Sequence, residues 1–252
     1  MGISEKINEA MEIQEVFKFS VGKFNVVITD TMISMWIVMA ILVLIAYVFS
    51  RNLKTIPGKR QSLLEVCVEF VTKFCEGQMG HYSRAFTPYI ATLALFIIIC
   101  NMLGIFNIIP TSHDLYNLTK LEFFKKLPFY AITPPTRDIN VTAGLAVMTV
   151  VVMIVSTIYY KGFFGWLKGL CKPTIILFPI NILELCIKPL SLCLRLFGNI
   201  LGAHIIVDIV YVLFPAIIPI AISAYFDLFD GILQAYIFVF LTTMYIGESL
   251  ED

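Results

Sequence analysis

Five stretches of the sequence are apolar and long enough to cross a lipid bilayer. The pattern predicts membrane helices over 31–50, 87–109, 139–160, 175–213 and 216–246, because about 20 apolar residues match the thickness of a hydrocarbon core. The last two stretches exceed that length, which indicates strong tilt, a kink at Pro189, or both. The sequence therefore predicts an all-α integral membrane protein with one membrane domain over 1–252.

Two further segments are too polar to span a membrane. Residues 1–29 mix glutamates with lysines and lack the features of a cleavable signal peptide, so they are expected to form an exposed N-terminal segment, a short helix and a strand-like tail. In residues 61–82, apolar positions such as Leu64 and Val71 recur at helical spacing against acidic positions such as Glu69. This spacing predicts an amphipathic helix on the membrane surface.

The distribution of basic residues predicts the orientation in the membrane. The loop after the first membrane helix contains Arg51, Lys54, Lys59 and Arg60, and short loops rich in lysine and arginine are typically cytoplasmic. The N-terminus is therefore expected outside, and five crossings place the C-terminus in the cytoplasm. The basic residues of the 110–137 loop oppose this orientation, although the rule has less force in longer segments.

The composition supports a membrane protein and narrows the function. The chain has 252 residues, of which 59% are hydrophobic and only 14% are charged, which excludes a soluble globular protein. A net charge of zero gives no reason to expect nucleic acid as a partner. The six cysteines form no CxxC pair, so they are interpreted as small core residues, and neither a metal site nor a cofactor is predicted.

The fourth membrane stretch carries charges that need an explanation, because an ionised side chain at bilayer depth costs about 2.5 kcal/mol or more. At about 100° per residue, one stripe of this helix holds a fixed cation, and roughly the opposite face holds a titratable pair. The stripe consists of Asn181, Glu184, Lys188, Arg195 and Asn199, and the pair is His204 with Asp208. Glu184 and Lys188 are spaced to form a pair within the helix, so the partner of Arg195 is expected on another helix or another chain.

The last membrane stretch also has a polar face, formed by Asp227, Asp230, Gln234 and Tyr245. Two carboxylates within one turn can hardly both be ionised in apolar surroundings. If the last two helices pack as an antiparallel hairpin, His204 and Asp208 lie at the depth of Asp227 and Asp230. Such a cluster can pass protons along, and the intrinsic pKa of histidine, about 6.5, suits that role.

Three motifs make the chain similar to a known family. The run PLSLCLRLFGN from Pro189 to Asn199, PPTRDINVTAGLAV from Pro134 to Val147 and LQAYIFVFLTTMYI from Leu233 to Ile246 resemble subunit a of the F-type ATP synthase. This resemblance covers most of the chain after about residue 85. It implies a membrane stator subunit whose last two helices form a long, tilted hairpin against the rotating c-ring.

The resemblance also implies roles for individual residues and partners. Arg195 is the arginine that separates two ion half-channels, and His204 with Asp227 belongs to the outer half-channel. Asn199 and Gln234 are polar neighbours of Arg195, whereas Asp138 and Asn140 lie near the outer mouth; roles for Asp208 and Asp230 are inferred from position alone. The expected partners are the c-ring, the b subunits of the peripheral stalk and membrane lipid, with H⁺ or Na⁺ as the coupling ion.

Several alternatives remain open at this stage. Glu184 and Lys188 could form a structural pair near the cytoplasmic interface rather than part of the ion pathway. A secondary cation transporter would also place charges at mid-membrane, but the sequence has no internal repeat, and the motifs of an intramembrane hydrolase are absent. No nucleotide-binding motif is present either, so ATP chemistry is expected on partner subunits. The absence of a transit peptide suggests a bacterial plasma membrane.

Overall fold

The computed structural model describes residues 15–21, 24–51, 54, 58–104, 134–171, 175–213 and 217–251. Strands β1 (Glu15–Val21) and β2 (Phe24–Thr29) pair as an antiparallel hairpin. The helices that follow are α1 (Asp30–Ser50), α2 (Lys59–Met79), α3 (Ser83–Met102), α4 (Ile139–Leu170), α5 (Phe178–Leu213), α6 (Ile217–Ala224) and α7 (Gly231–Glu251). Single 3-10 turns cover Gly80–Tyr82, Pro135–Arg137 and Ile175–Leu177, and a π-helix, Tyr225–Asp230, joins α6 to α7.

Five of the described helical stretches are long and apolar enough to cross a membrane, which confirms the predicted all-α membrane class. They are Asp30–Ser50, Gln61–Met102, Ile139–Leu170, Phe178–Val207 and Ala221–Leu250. The β hairpin lies at the end of the predicted exposed segment 1–29, where the sequence predicts a strand-like tail. The short helix expected in that segment can only be compared over 15–29, because residues 1–14 lie outside the described part of the chain.

Several helix ends differ from the predicted ones, and glycine explains two of the differences. The helix predicted over 139–160 continues to Leu170 after a break at Gly162, where φ is 77°, a conformation that costs glycine little. The helix predicted over 61–82 ends at Met79, because Gly80 has φ 54°. Pro189 lies inside α5, which continues through it, and the stretch predicted over 216–246 is divided by the π-helix and ends at Glu251.

The chain forms two compact units, and the long helices α1, α3, α5 and α7 contribute to both. The first unit consists of Met1–Ala40, Ile97–Asp138 and Phe197–Gln234, and the second consists of Ile41–Phe96, Ile139–Leu196 and Ala235–Asp252. In the second unit, apolar side chains from α2, α3, α4 and α7 form one core: Cys75, Met79, Phe86, Ile90, Val150, Met153, Val239, Ile246 and Leu250. The apolar stripe of α2 joins this core at its C-terminal end.

The cysteines only partly follow the expectation that they are core residues. All six are free; Cys75, Cys100 and Cys193 are buried, and Cys171 is half-buried. Cys67 and Cys186 are exposed, so the interpretation as core residues was wrong for these two. In a membrane protein an exposed, weakly polar thiol can face lipid, and the apolar spacing of the sequence does not distinguish that surface from the core.

A close contact between α2 and α7 in the second unit predicts the effect of Gly247→Ala. A Cβ atom at Gly247 would overlap the carbonyl oxygen of Gln78 and lie 3.3 Å from its carbonyl carbon. Backbone atoms cannot rotate away, so α7 must shift, at a cost of about 1–3 kcal/mol. We expect a lower melting temperature of the purified complex in detergent.

The matched control for this substitution is Gly77→Ala, since a Cβ at Gly77 meets no atom within 4 Å. Alanine is favoured over glycine inside a helix by about 1 kcal/mol, so this variant should be as stable as wild type or slightly more stable. Equal melting temperatures for the two variants would show that the contact between Gly247 and Gln78 does not limit helix packing.

Candidate functional site

The arginine of the fourth membrane stretch is exposed on the second-unit part of α5. Arg195 is exposed, whereas Leu192 and Leu196 on either side of it are fully buried. The exposed face continues along the helix with large apolar side chains: Leu183, Ile187, Leu190 and Leu194. A permanent charge therefore lies beside large exposed apolar side chains, an arrangement that indicates a functional site in a membrane protein.

Lys188, one heptad before Arg195, is held by α7. Its ammonium lies 2.9 Å from a Glu184 carboxylate oxygen and 3.1 Å from one of Glu248. It also lies 5.0 Å from the centre of the Tyr245 ring, within the range of a cation–π contact. The lysine side chain is only 13% exposed. The predicted pair within α5 is present, but Glu248 and Tyr245 extend it into an anchor between two helices.

This anchor gives Lys188 and Arg195 different surroundings within the polar stripe predicted on α5. Lys188 and Arg195 share an angle on an ideal helix, yet Lys188 points to partners on α7 and Arg195 is exposed. The long lysine side chain follows its two carboxylates, which the sequence pattern of α5 alone cannot show. Glu184 is exposed, and at the start of the helix the Asn181 amide donates to the Leu170 carbonyl at 2.8 Å.

In the first unit, the π-helix directs two carboxylates to different partners. Asp227 accepts a hydrogen bond from Ser223 Oγ at 2.9 Å, and its Oδ1 atom lies 2.7 Å from where a Cβ of Gly104 would be. Asp230 accepts a hydrogen bond from the Asn199 amide on α5. The prediction that Asp227 and Asp230 act from one shared face assumed α-helical spacing, and the wider π-helical turn changes that spacing.

The contact between Asn199 and Asp230 joins α5 to the segment before α7, and it involves the stripe of Arg195 rather than the pair His204 and Asp208 that was predicted to meet Asp230. Asn199 was expected beside Arg195; its amide is engaged by Asp230. His204 is half-buried and has interactions of its own. Asp208 lies one helical turn after His204 on α5, and its side chain is outside the described part of the structure.

The remaining predicted residues lie in different surroundings. Gln234 is buried at 4% exposure, and Asp138 is buried at 8%. Asp138 accepts a hydrogen bond from Thr31 Oγ1 at 3.2 Å, which ties the start of α1 to the segment before α4. Asn140, near the start of α4 in the second unit, is exposed and has interacting partners. Among the described residues, no group of three or more histidine, cysteine, aspartate or glutamate side chains could hold a metal ion.

Sequence reasoning did not identify several residues that shape these sites. Glu248, Gly104 and Ser223 carry no recognisable signal in the sequence. The same holds for Asn101, whose amide donates to the Gly231 carbonyl at 2.9 Å. The only sequence signals were an asparagine within an apolar stretch and a glycine beside an acidic residue, and each is common in membrane helices without a function.

Comparison with known proteins agrees with the motifs around Arg195. The family model of the ATP synthase A chain matches residues 32–247. The chain belongs to the ATP synthase A chain family. It is 34% identical over 231 residues to the "ATP synthase subunit a, sodium ion specific" of Propionigenium modestum, which covers 92% of this chain and 77% of that protein.

Family membership assigns the function of the chain at the level of the complex. It is a multi-pass membrane protein and the ion-translocating stator subunit of an F-type ATP synthase. As a member of this family it works with the c-ring and the rest of that complex, and the alternative of a secondary transporter is not favoured. The exposed arginine within an apolar surface fits a subunit that exchanges ions with a rotating partner in the membrane.

Proposed function

We propose that the exposed face of α5 lies against the c-ring and that Arg195 is the residue that meets each c-ring carboxylate. The observation that carries this proposal is the exposure of Arg195 among exposed Leu190 and Leu194, with Leu192 and Leu196 buried on the other side. A monomeric membrane protein could cover such a face with lipid, but the hydrocarbon chains at bilayer depth give an arginine no counter-charge. A partner that presents carboxylates at bilayer depth supplies it.

In this proposal Arg195 acts by its fixed charge. It attracts the ionised carboxylate of a c subunit, favours release of the bound ion, and repels a free cation that would otherwise cross directly between the two half-channels. Its guanidinium stays protonated, as an arginine side chain does in proteins. The rotation of the c-ring then transports each ion from one half-channel to the other.

Polar residues of α5, of the π-helix and of the start of α7 form the outer half-channel in this proposal. Asp227, Asp230 and His204 are the ionisable groups that exchange the ion, and Asp208, Asn199 and Gln234 complete the polar path. Asp138 and Asn140 lie toward its outer mouth. The hydrogen bond between Asn199 and Asp230 supports this assignment, because it brings the polar residues of α5 and of the π-helix together. Glu184 and Lys188 belong to the structural anchor with Glu248.

The orientation and surroundings of the chain are also proposals. The basic loop after α1 supports a cytoplasmic position for that loop, with the N-terminus outside and the C-terminus in the cytoplasm. We place the chain in a bacterial plasma membrane, with the b subunits of the peripheral stalk as further partners and lipid around the remaining apolar surface. The similarity to a sodium-specific relative makes Na⁺ the ion to test against H⁺.

Photo-crosslinking tests the proposed c-ring face. Each complex carries subunit a with a single cysteine labelled by a benzophenone maleimide: Leu190→Cys, Leu194→Cys or the native Cys193. We expect the first two to cross-link to the c subunit on illumination. Cys193 should not, because it is buried and lies 3.6 Å from Thr142 Oγ1. Cross-links from Cys193, or none from Leu190 and Leu194, would contradict the proposed face.

A further inference from the structure

Two buried side chains outside the proposed ion pathway lie beside the π-helix of the first unit. Asn101 at the end of α3 is 5% exposed, and Thr136 is fully buried. Asn101 Nδ2 donates to the Gly231 carbonyl oxygen, and Thr136 Oγ1 donates to Asn101 Oδ1, both at 2.9 Å. Both ends of the amide are therefore engaged, which fixes its orientation and leaves Nδ2 directed at Gly231.

Gly231 is the first residue after the π-helix, and α3 approaches it closely. The Gly231 N–H bonds to the carbonyl of Phe226, five residues earlier, as the π-helix requires, and also to that of Leu228. A Cβ atom at Gly231 would lie 3.1 Å from the Asn101 Cβ. The hydrogen bond from Asn101 and this close approach fasten the end of the π-helix to the end of α3.

A π-helical turn needs such a fastening, because it is equivalent to one extra residue in an α-helix. If it relaxes to α-helix, the residues on one side rotate by about 100° relative to the other side. Asp227 and Asp230 lie within this turn and have different partners. Asp227 lies against Gly104 and accepts a hydrogen bond from Ser223, whereas Asp230 accepts one from Asn199. A relaxed turn would move at least one of these carboxylates away from its partner.

We propose that Asn101 is a positioning residue of the ion pathway: by bonding Gly231, it holds the π-helix in the register that directs Asp227 to Gly104 and Asp230 to Asn199. Thr136 orients the Asn101 amide for this bond. The inference rests on the proposed role of the two carboxylates in the outer half-channel. It adds a residue that acts on ion exchange without contacting the ion.

The test measures ATP synthesis by the complete complex in inverted vesicles. Membrane potential is fixed while luminal pH and luminal Na⁺ are varied separately, because the lumen corresponds to the outer side. For Asn101→Ala we expect the rate per assembled complex to fall at least about tenfold. The half-saturating concentration of the coupling ion should change at least about threefold, because the carboxylates change surroundings. The substitution does not replace any of the other charged or titratable groups described in the first unit, which are Asp30, Arg137, Asp138 and His204.

Two further variants separate positioning from packing. Thr136→Val leaves Asn101 in place but removes the hydroxyl that orients it, so it should change half-saturation in the same direction by a smaller factor. Thr157→Val removes another buried hydroxyl, one that donates to the Met153 carbonyl of its own helix at 2.8 Å. This variant should change neither the rate of ATP synthesis nor the half-saturating ion concentration. If the complex with Asn101→Ala does not assemble, the half-saturating ion concentration measured for Thr136→Val decides between positioning and packing.

Unchanged half-saturation in both Asn101→Ala and Thr136→Val would overturn the proposal, even if less complex assembles, because loss of packing alone lowers only the amount of complex. An Arg195→Ala arm separates this failure from a failure of the proposed function. Loss of synthesis in Arg195→Ala with normal ion dependence in the Asn101 and Thr136 variants would reject the positioning role alone. Normal synthesis in Arg195→Ala would reject the proposed function.

Discussion

Replacing Arg195 by alanine is expected to reduce ATP-driven ion pumping in inverted vesicles to below about 1% of wild type, with the complex still assembled. Removal of a single preorganised charge from a site that excludes water costs about 10²–10³ in rate. Here the loss is greater, because the ionised c-ring carboxylate then has no counter-charge at its exchange position. Because Arg195 is exposed, its removal leaves no cavity in subunit a and should not impair folding.

Arg84→Ala is the matched control, since Arg84 is an exposed arginine at the start of α3, outside the proposed ion pathway. This variant should pump at the wild-type rate. Arg195→Lys keeps a positive charge but places it on a group that can lose its proton when desolvated, so we expect most of the activity to be lost there too. Pumping by Arg195→Ala at the rate of Arg84→Ala would sink the proposed mechanism.

Gly104→Ala is expected to lower pumping by about 10- to 100-fold without reducing assembly. A Cβ at this position would lie 2.7 Å from Asp227 Oδ1 and 2.9 Å from its Cγ, well inside van der Waals contact. The carboxylate is the free end of a flexible side chain, so it can rotate away at little cost to the fold. The displacement, roughly 1 Å, nevertheless moves an ion-exchanging group, and errors of that size can cost about 100-fold in rate.

The comparison that isolates this effect uses Gly144→Ala, because a Cβ at Gly144 meets no atom within 4 Å. Both variants are assayed for assembled complex, pumping rate and half-saturating ion concentration. Asp227→Asn provides the reference for complete loss of that carboxylate. The pumping rate of Gly104→Ala should lie between those of Asp227→Asn and Gly144→Ala. If the two alanine variants behave alike, the close contact with Asp227 has no part in ion exchange.

The sequence points to the candidate site residues more readily than to the side chains that contact them. Arg195, Asp227 and His204 stand out as candidates because charged and titratable side chains within an apolar stretch are conspicuous, whatever the tertiary structure. The shared face predicted for Asp227 and Asp230 assumes α-helical spacing, and the structure has a π-helix there, in which the two carboxylates have different hydrogen-bond partners. A π-helix leaves little local signature in the sequence, and here it is bonded through Gly231 to Asn101, 130 residues earlier.

The sequence by itself determined that the chain is a multi-pass membrane protein, with five stretches long and apolar enough to span a bilayer, and that it belongs to this family. Each membrane stretch follows from the transfer free energy of its own consecutive residues, and the motif around Arg195 is continuous along the chain. Only the tertiary structure decided that Lys188 bonds Glu248, 60 residues later, and which partner each carboxylate meets. These contacts depend on pairs of residues far apart in the sequence, and the pattern along one helix gives its polar face but not the side chains that meet it.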